Sequence, residues 1–221
     1  MRKIIIAFSI AFITTLCTYA SDWQFTIGTG LTLPYSRLHA KNGKMEGLAM
    51  TDIDTWQFES DYDLTFMLVN VPVGISFKSD LGLGYAITDD EGIRKGGNIL
   101  GDFGVGYSFV RSERVTMGLF AMFGFDYSMY KYTDNLRIDG IKQTFKLDIK
   151  ENFLTYSVGA DLTGVFRFTK CFGLFGSLGG RWILGGKVDG TASILGESSN
   201  LSWKMNGKFI FIPTVGVSWT F

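Results

Sequence analysis

The closing stretch KFIFIPTVGVSWTF, Lys208 to Phe221, decides the fold. From Phe209 onward every odd position is apolar: Phe209, Phe211, Pro213, Val215, Val217, Trp219 and Phe221. The even positions open with Ile210 and Ile212 and continue with Thr214, Gly216, Ser218 and Thr220. A period of two is the signature of a β-strand. One face of this strand suits hydrocarbon, and the other suits a tighter or wetter space.

The same alternation recurs upstream. It predicts strands over 23–35, 64–77, 81–88, 99–111, 114–127, 154–168 and 172–184, with the terminal strand as the eighth. Outward faces read Trp23-Phe25-Ile27, then Met67-Val69-Val71, then Leu81-Leu83-Tyr85 and Phe103-Val105-Tyr107. The intervening positions are mostly glycine, serine and threonine. Short turns are expected at Lys78-Ser79-Asp80, Ser112-Glu113 and Thr169-Lys170. Longer loops are expected at 36–62, 88–98, 133–150 and 185–206. A soluble barrel would turn its apolar face inward, but here the other face is too small and polar to be a soluble exterior.

Met1 to Ala20 reads as a cleavable secretory signal: Arg2 and Lys3, the apolar run Ile4–Leu16, and small residues at Thr18 and Ala20. The run is too short for a transmembrane helix. The expected organisation is therefore a signal peptide over 1–20 and one barrel over 21–221. Removing Arg2 and Lys3 leaves 19 basic residues against 21 acidic ones, a formal charge of −2. No basic field invites nucleic acid. Only Cys171 survives cleavage, so no internal disulfide forms. No phosphate loop or zinc spacing is present, and no cofactor is expected. Aromatics at 15%, 28 glycines and only three prolines suit an apolar, exported chain that crosses a membrane with strands. A closed all-β wall satisfies every backbone group within lipid.

The strand count, short and long connections, signal sequence and final Trp219-Thr220-Phe221 resemble the small eight-stranded bacterial outer-membrane barrels, the OmpX, OmpW and OmpA-transmembrane-domain group. The resemblance covers essentially the whole mature chain. It implies an eight-stranded antiparallel up-and-down transmembrane barrel in the outer membrane. It also implies that Trp219 and Phe221 form the C-terminal signal read by the barrel-assembly machinery.

Three regions are candidates for function. The first is a lumen charge network of Asp102, Asp126, Asp161, Arg167, Arg181 and, near the rim, Lys208. A buried charge needs a partner, so Arg181 is expected to bridge to Asp161 and Asp126. The second is the wall where the sheet closes. Pro34, Pro72 and Pro213 are expected to weaken its ladder, beside an apolar inner surface of Phe66, Leu68, Ile210 and Ile212. The OmpW resemblance implies that a small apolar solute leaves sideways there. The third is a hairpin over 133–150 around Asp139-Gly140, a type I′ turn signal. Its open edges could capture an extracellular partner, and OmpX-like proteins are linked to host contact.

Enzyme readings are weak. Some barrels of this size modify lipid A with a histidine, and the single histidine is His39, near Ser36 and Ser60. The acidic set Asp52, Asp54, Glu59, Asp61 and Asp63 does not match a calcium loop and reads as a solvated loop. The leading expectation is a narrow passive conduit for small apolar molecules. The alternative is a non-channel surface protein acting through its loops, as an adhesin or structural barrel.

Overall fold

The computed structural model describes residues 22–45, 48–50, 52–89, 93–137, 144–194 and 197–221. The signal segment and the Asp139-Gly140 turn lie outside the described residues. The strands are β1 (Trp23–Thr32), β2 (Tyr35–Met45), β3 (Leu48–Met50), β4 (Ile53–Asn70), β5 (Ile75–Asp89), β6 (Ile93–Arg111), β7 (Val115–Arg137), β8 (Thr144–Arg167), β9 (Phe172–Ile194), β10 (Glu197–Met205) and β11 (Phe209–Thr220).

All pairs are antiparallel, and neighbours in sequence are neighbours in the sheet from β4 through β9. The sheet closes because β11 pairs with both β9 and β1, and β1 with β4. Two runs cross interruptions without losing register. Against β4, Thr32 faces Asp61 and Tyr35 faces Phe58, so β2 continues the row of β1 through Leu33-Pro34. Against β9, Met205 faces Gly186 and Phe209 faces Trp182, so β11 continues β10 across 206–208.

Alternation sorts the two faces. Leu83, Phe103, Leu119, Phe123, Leu178 and Val215 are exposed on the outside. A continuous apolar exterior of this kind is a lipid-facing surface. Near the chain termini the rings touch in sequence: Phe25 stacks on Phe66 and Phe221, and Phe172 tilts against Trp219, at centroid distances of 6.4, 6.5 and 5.6 Å. Phe25 and Phe221 exchange both backbone hydrogen bonds, sealing the terminal strand onto the first.

One turn differs from the sequence expectation, and the difference propagates. The first short turn is Val71–Gly74, and Lys78-Ser79-Asp80 lies inside β5. Val71 and Val73 keep the apolar alternation going through the turn, so the sequence reads as one strand. Gly74 ends the turn at φ 93°, a conformation glycine adopts without cost. Moving the turn reverses the faces of the preceding strand. Thr65, Met67 and Val69 are buried inside, whereas Phe66 and Leu68 stand on the outer face. Phe66 and Leu68 are therefore not part of an apolar lumen wall. Pro72 sits in the turn and weakens no ladder. The expected loop 36–62 is largely strand, β2 through most of β4.

Candidate functional site

The interior is layered. Close to the short turns, Met67, Val69, Phe120, Met122, Val165 and Phe175 form an apolar floor. Arg167 caps the 112–113 turn there, donating from Nε to the Glu113 carbonyl at 2.7 Å and from Nη2 to that of Ser112. It pairs with no carboxylate among the described residues.

Above the floor lies a belt of charge. Lys78 Nζ is 2.9 Å from Asp80 Oδ2, 2.7 Å from Asp161 Oδ2 and 3.1 Å from Ser177 Oγ. Arg181 Nη1 donates to Asp161 Oδ1, and its Nη2 lies 3.2 Å from Asp102 Oδ2. Asp80, Lys78, Asp161, Arg181 and Asp102 thus form one chain of charge across β5, β6, β8 and β9. The two cations are buried, at 2% and 0% side-chain exposure. Gly179 leaves the space this pairing needs, since a methyl there would overlap the Asp161 carboxylate.

A second group holds carboxyls without a cation. Asn98 Nδ2 donates to Asp61 Oδ1 at 2.8 Å. Ser128 Oγ lies 2.8 Å from Glu59 and 2.9 Å from Asp126. Thr65 Oγ1 lies 3.0 Å from Asp63 and 2.7 Å from Asp80. Each hydroxyl has one proton and serves one of its two carboxyls at a time. Among the described residues, no cation lies within ion-pair range of Glu59, Asp61, Asp63 or Asp126.

Further out, the interior turns apolar on one side. Leu38, Ile183, Trp203, Met205, Ile210 and Ile212 join one cluster over β2, β9, β10 and β11. Tyr130 and Phe153 meet edge to face at 5.3 Å in the same cluster. This layer rests against the two interruptions of the wall. The β1–β11 ladder stops at Thr32–Thr214 and resumes on β2 at Tyr35–Phe211. Leu33 N donates to Pro213 O at 3.0 Å, but Pro213 has no N–H to return. Glu59 N donates to Pro34 O at 2.9 Å, and Pro34 likewise returns nothing. Pro213 therefore removes a donor from the β1–β11 seam, and Pro34 removes one from the adjoining ladder to β4.

The structure brings together Asp102, Asp161 and Arg181 of the expected network. Asp126 stands with Glu59 and Ser128, apart from Arg181. Lys208 is half-buried at the rim, 3.8 Å from Asp54, and takes no part in the interior belt. Ile210 and Ile212 face inward, Pro34 and Pro213 flank the seam, and Trp219 and Phe221 lie on the outer face. Sequence reading missed Lys78, Asp80, Glu59, Asp61 and Asp63, because charge beside an expected turn or loop looks solvated. For Glu59, Asp61 and Asp63 the available signal was their strict odd spacing within 57–65, continuous with β4.

His39, Ser36 and Ser60 do not converge. Ser36 is buried inside, while His39 is half-buried on the opposite face of β2, with Nδ1 3.9 Å from Asp54. At that rim Arg37 pairs with Asp54 through two hydrogen bonds of 3.1 Å and lies 5.4 Å from the Trp56 ring centroid. The bonds from Arg37 hold the Asp54 carboxyl below its ordinary range. Among the described residues no acidic or histidine cluster has the arrangement to hold a metal.

No family model and no curated protein matches the sequence. Solved structures do match in shape. A major outer membrane protein of Thermus thermophilus aligns over 90% of this chain and 99% of its own, at 15% identity and a TM-score of 0.54. The outer membrane protein AlkL, solved in DMPC bilayers, aligns over 90% of both chains, at 14% identity and a TM-score of 0.50. The fold is that of the outer-membrane β-barrels.

Proposed function

We propose that the chain works as an eight-stranded outer-membrane barrel that passes small apolar solutes sideways into the membrane. In this reading 1–20 is the cleaved signal, and Trp219 and Phe221 are recognised by the barrel-assembly machinery. The β1/β2 run and the β10/β11 run each serve as one wall strand, which makes eight wall positions with β4 to β9. The observation that carries the reading is the contact between two features. The apolar outer interior at Leu38, Ile210 and Ile212 lies directly against the seam where Pro213 removes a donor, beside the ladder to β4 where Pro34 removes another.

A solute entering from outside meets hydrocarbon side chains first. Its way straight down is closed by the Lys78–Asp161–Arg181–Asp102 chain and by the apolar floor. The seam is the exit of least cost, because Pro213 already leaves one of its hydrogen bonds unmade and Pro34 leaves another unmade in the ladder alongside. Every further backbone group bared to lipid costs several kcal/mol, at roughly that order per group, so opening is local. Refolding the mature chain into liposomes and measuring uptake from sugars to small apolar dyes tests this. Uptake of apolar dyes without sugars supports it, and no uptake of either rejects it.

A second reading, contact with a partner at the surface, has narrower support. β8 is covered by β9 as far as Leu147, so the ribbon is less open than the sequence suggests. Among the described residues the β6–β7 ladder ends at Lys95–Lys131, while β7 runs on to Arg137. That end of β7 is an edge able to take an added strand. Replacing 134–147 with a tight turn would abolish partner binding and leave solute uptake intact.

A further inference from the structure

A row of lysines crosses three neighbouring strands on the outer surface. Lys204 of β10 stands opposite Lys187 of β9 on one side and Lys41 of β2 on the other. All three are exposed. Like charges directly opposite in a sheet are destabilising, so folding alone does not favour this row. In the next row out, Ser202 faces Asp189 and Lys44. Lys187 pairs with Asp189 at 2.5 Å. Among the described residues, Lys41, Lys44 and Lys204 have no carboxylate in ion-pair range.

Between the two rows the wall is bent. The register of β2 against β10 slips between Ser202 and Lys204, and Asn42 takes φ 57°. This is a β-bulge, which kinks a strand and re-aims its side chains. The kink leaves a half-open hollow of about 550 Å³ lined by Asn42, Lys44, Lys187, Asp189, Ser202 and Lys204, among others. Three ammonium groups against one carboxylate make it positive. Ammonium, hydroxyl and amide donors together suit the oxygens of a phosphate.

The height of the hollow says what kind of phosphate. Leu184, 61% exposed, is the last large apolar residue on the outer face of β9 before Lys187. They are three residue steps apart, about 10 Å along the strand. Trp182 and Phe209, a directly opposed pair, lie just below. The hollow therefore opens where the hydrocarbon ends and the headgroups begin, within reach of lysine stems.

We propose that this hollow binds the phosphate of a phosphorylated lipid headgroup in the outer leaflet and holds one such lipid against β2, β10 and β9. The inference needs the membrane placement of the barrel and does not depend on a solute path.

To test it, the refolded mature chain is placed in neutral phosphatidylcholine nanodiscs doped with bis-phosphorylated lipid A. Retained lipid is counted by native mass spectrometry after detergent extraction. The wild-type chain retains the phosphorylated probe in preference to dephosphorylated lipid A. Lys44→Gln/Lys187→Gln/Lys204→Gln retains on the order of a hundredfold less, since each juxtamembrane lysine contributes about fivefold. The corresponding triple arginine variant keeps the lipid, and Lys170→Gln in the opposite turn changes nothing. The mobility shift between heated and unheated samples shows that each variant is folded. Undiminished retention by the glutamine triple overturns the proposal, as does equal retention of dephosphorylated lipid. Displacement by inorganic phosphate alone overturns it in favour of a free-anion site. Tighter binding of a soluble sulfated polysaccharide overturns it in favour of a surface polymer.

Discussion

Lys78 Nζ and Asp161 Oδ2 lie 2.7 Å apart across the interior, joining β5 to β8 past the two wall strands between them. This contact ties opposite parts of the wall together and closes the axis. Lys78→Met would leave Asp80 without its cation and Asp161 with Arg181 alone. Breaking a buried pair on one side costs about 3–5 kcal/mol. The midpoint of urea unfolding, followed by the gel shift of the folded form, should fall accordingly. Lys78→Arg should recover much of the loss. An unchanged midpoint for Lys78→Met would show that the pair carries no structural weight.

Phe66 and Ile210 are both apolar, but they face opposite ways. Phe66→Arg places a charge in lipid, which costs up to about 2–4 kcal/mol near the midplane and less towards the interface. Ile210→Asp instead places a charge in the outer interior. It should abolish uptake of apolar solutes while the protein still folds into vesicles. Equal effects of the two substitutions on uptake would contradict the layered interior.

Pro213 withholds one donor from the carbonyl of Leu33. Pro213→Val restores an N–H there, and a hydrogen bond of this kind contributes about 0.5–1.5 kcal/mol. The variant should be slightly more stable and should pass apolar solutes more slowly. Faster uptake would place the exit elsewhere.

Asp54 holds Arg37 beside Trp56. Its carboxyl is lowered by the hydrogen bonds from Arg37, so the pair is intact above the ordinary carboxyl pKa of about 3.9. It is lost as pH falls through the lowered value. The emission of Trp56, taken as the difference from Trp56→Phe, should be flat from neutral pH to about 5 and change only in more acid solution. Asp54→Asn should give the acid spectrum at neutral pH.

The second half of the wall was largely legible in the sequence. Over β6 to β9 and β11 the short turns carry Ser112-Glu113-Arg114 and Thr169-Lys170 and the faces alternate cleanly between them, although the expected loops 133–150 and 185–206 are strand over most of their described length. The first half was not. Val71-Pro72-Val73 continues the apolar alternation through a turn, which reverses the faces of β4 and hides Lys78 and Asp80. Glu59, Asp61 and Asp63 read as solvated because a strand alone cannot bury carboxyls. Only the closed wall, with Asn98 and Ser128 arriving from β6 and β7, supplies their partners. Arg181 and Asp161 were legible as a pair because they occupy inward positions on neighbouring strands. Lys78 reaches Asp161 from across the barrel, which no local pattern encodes.

The central claim is that solutes leave through the seam between β1 and β11. Thr32 and Thr214 touch there, with hydroxyls 2.9 Å apart. The Leu33–Pro213 bond makes them a non-hydrogen-bonded pair, whose close Cα spacing suits a disulfide. Thr32→Cys/Thr214→Cys, with the exposed Cys171 changed to serine, staples the seam reversibly. Uptake of a small apolar dye into liposomes is then measured before and after reduction. The account predicts uptake that is blocked in the oxidised protein and restored by reductant, with sugars excluded throughout. Dye uptake that ignores the staple would contradict a lateral exit at this seam.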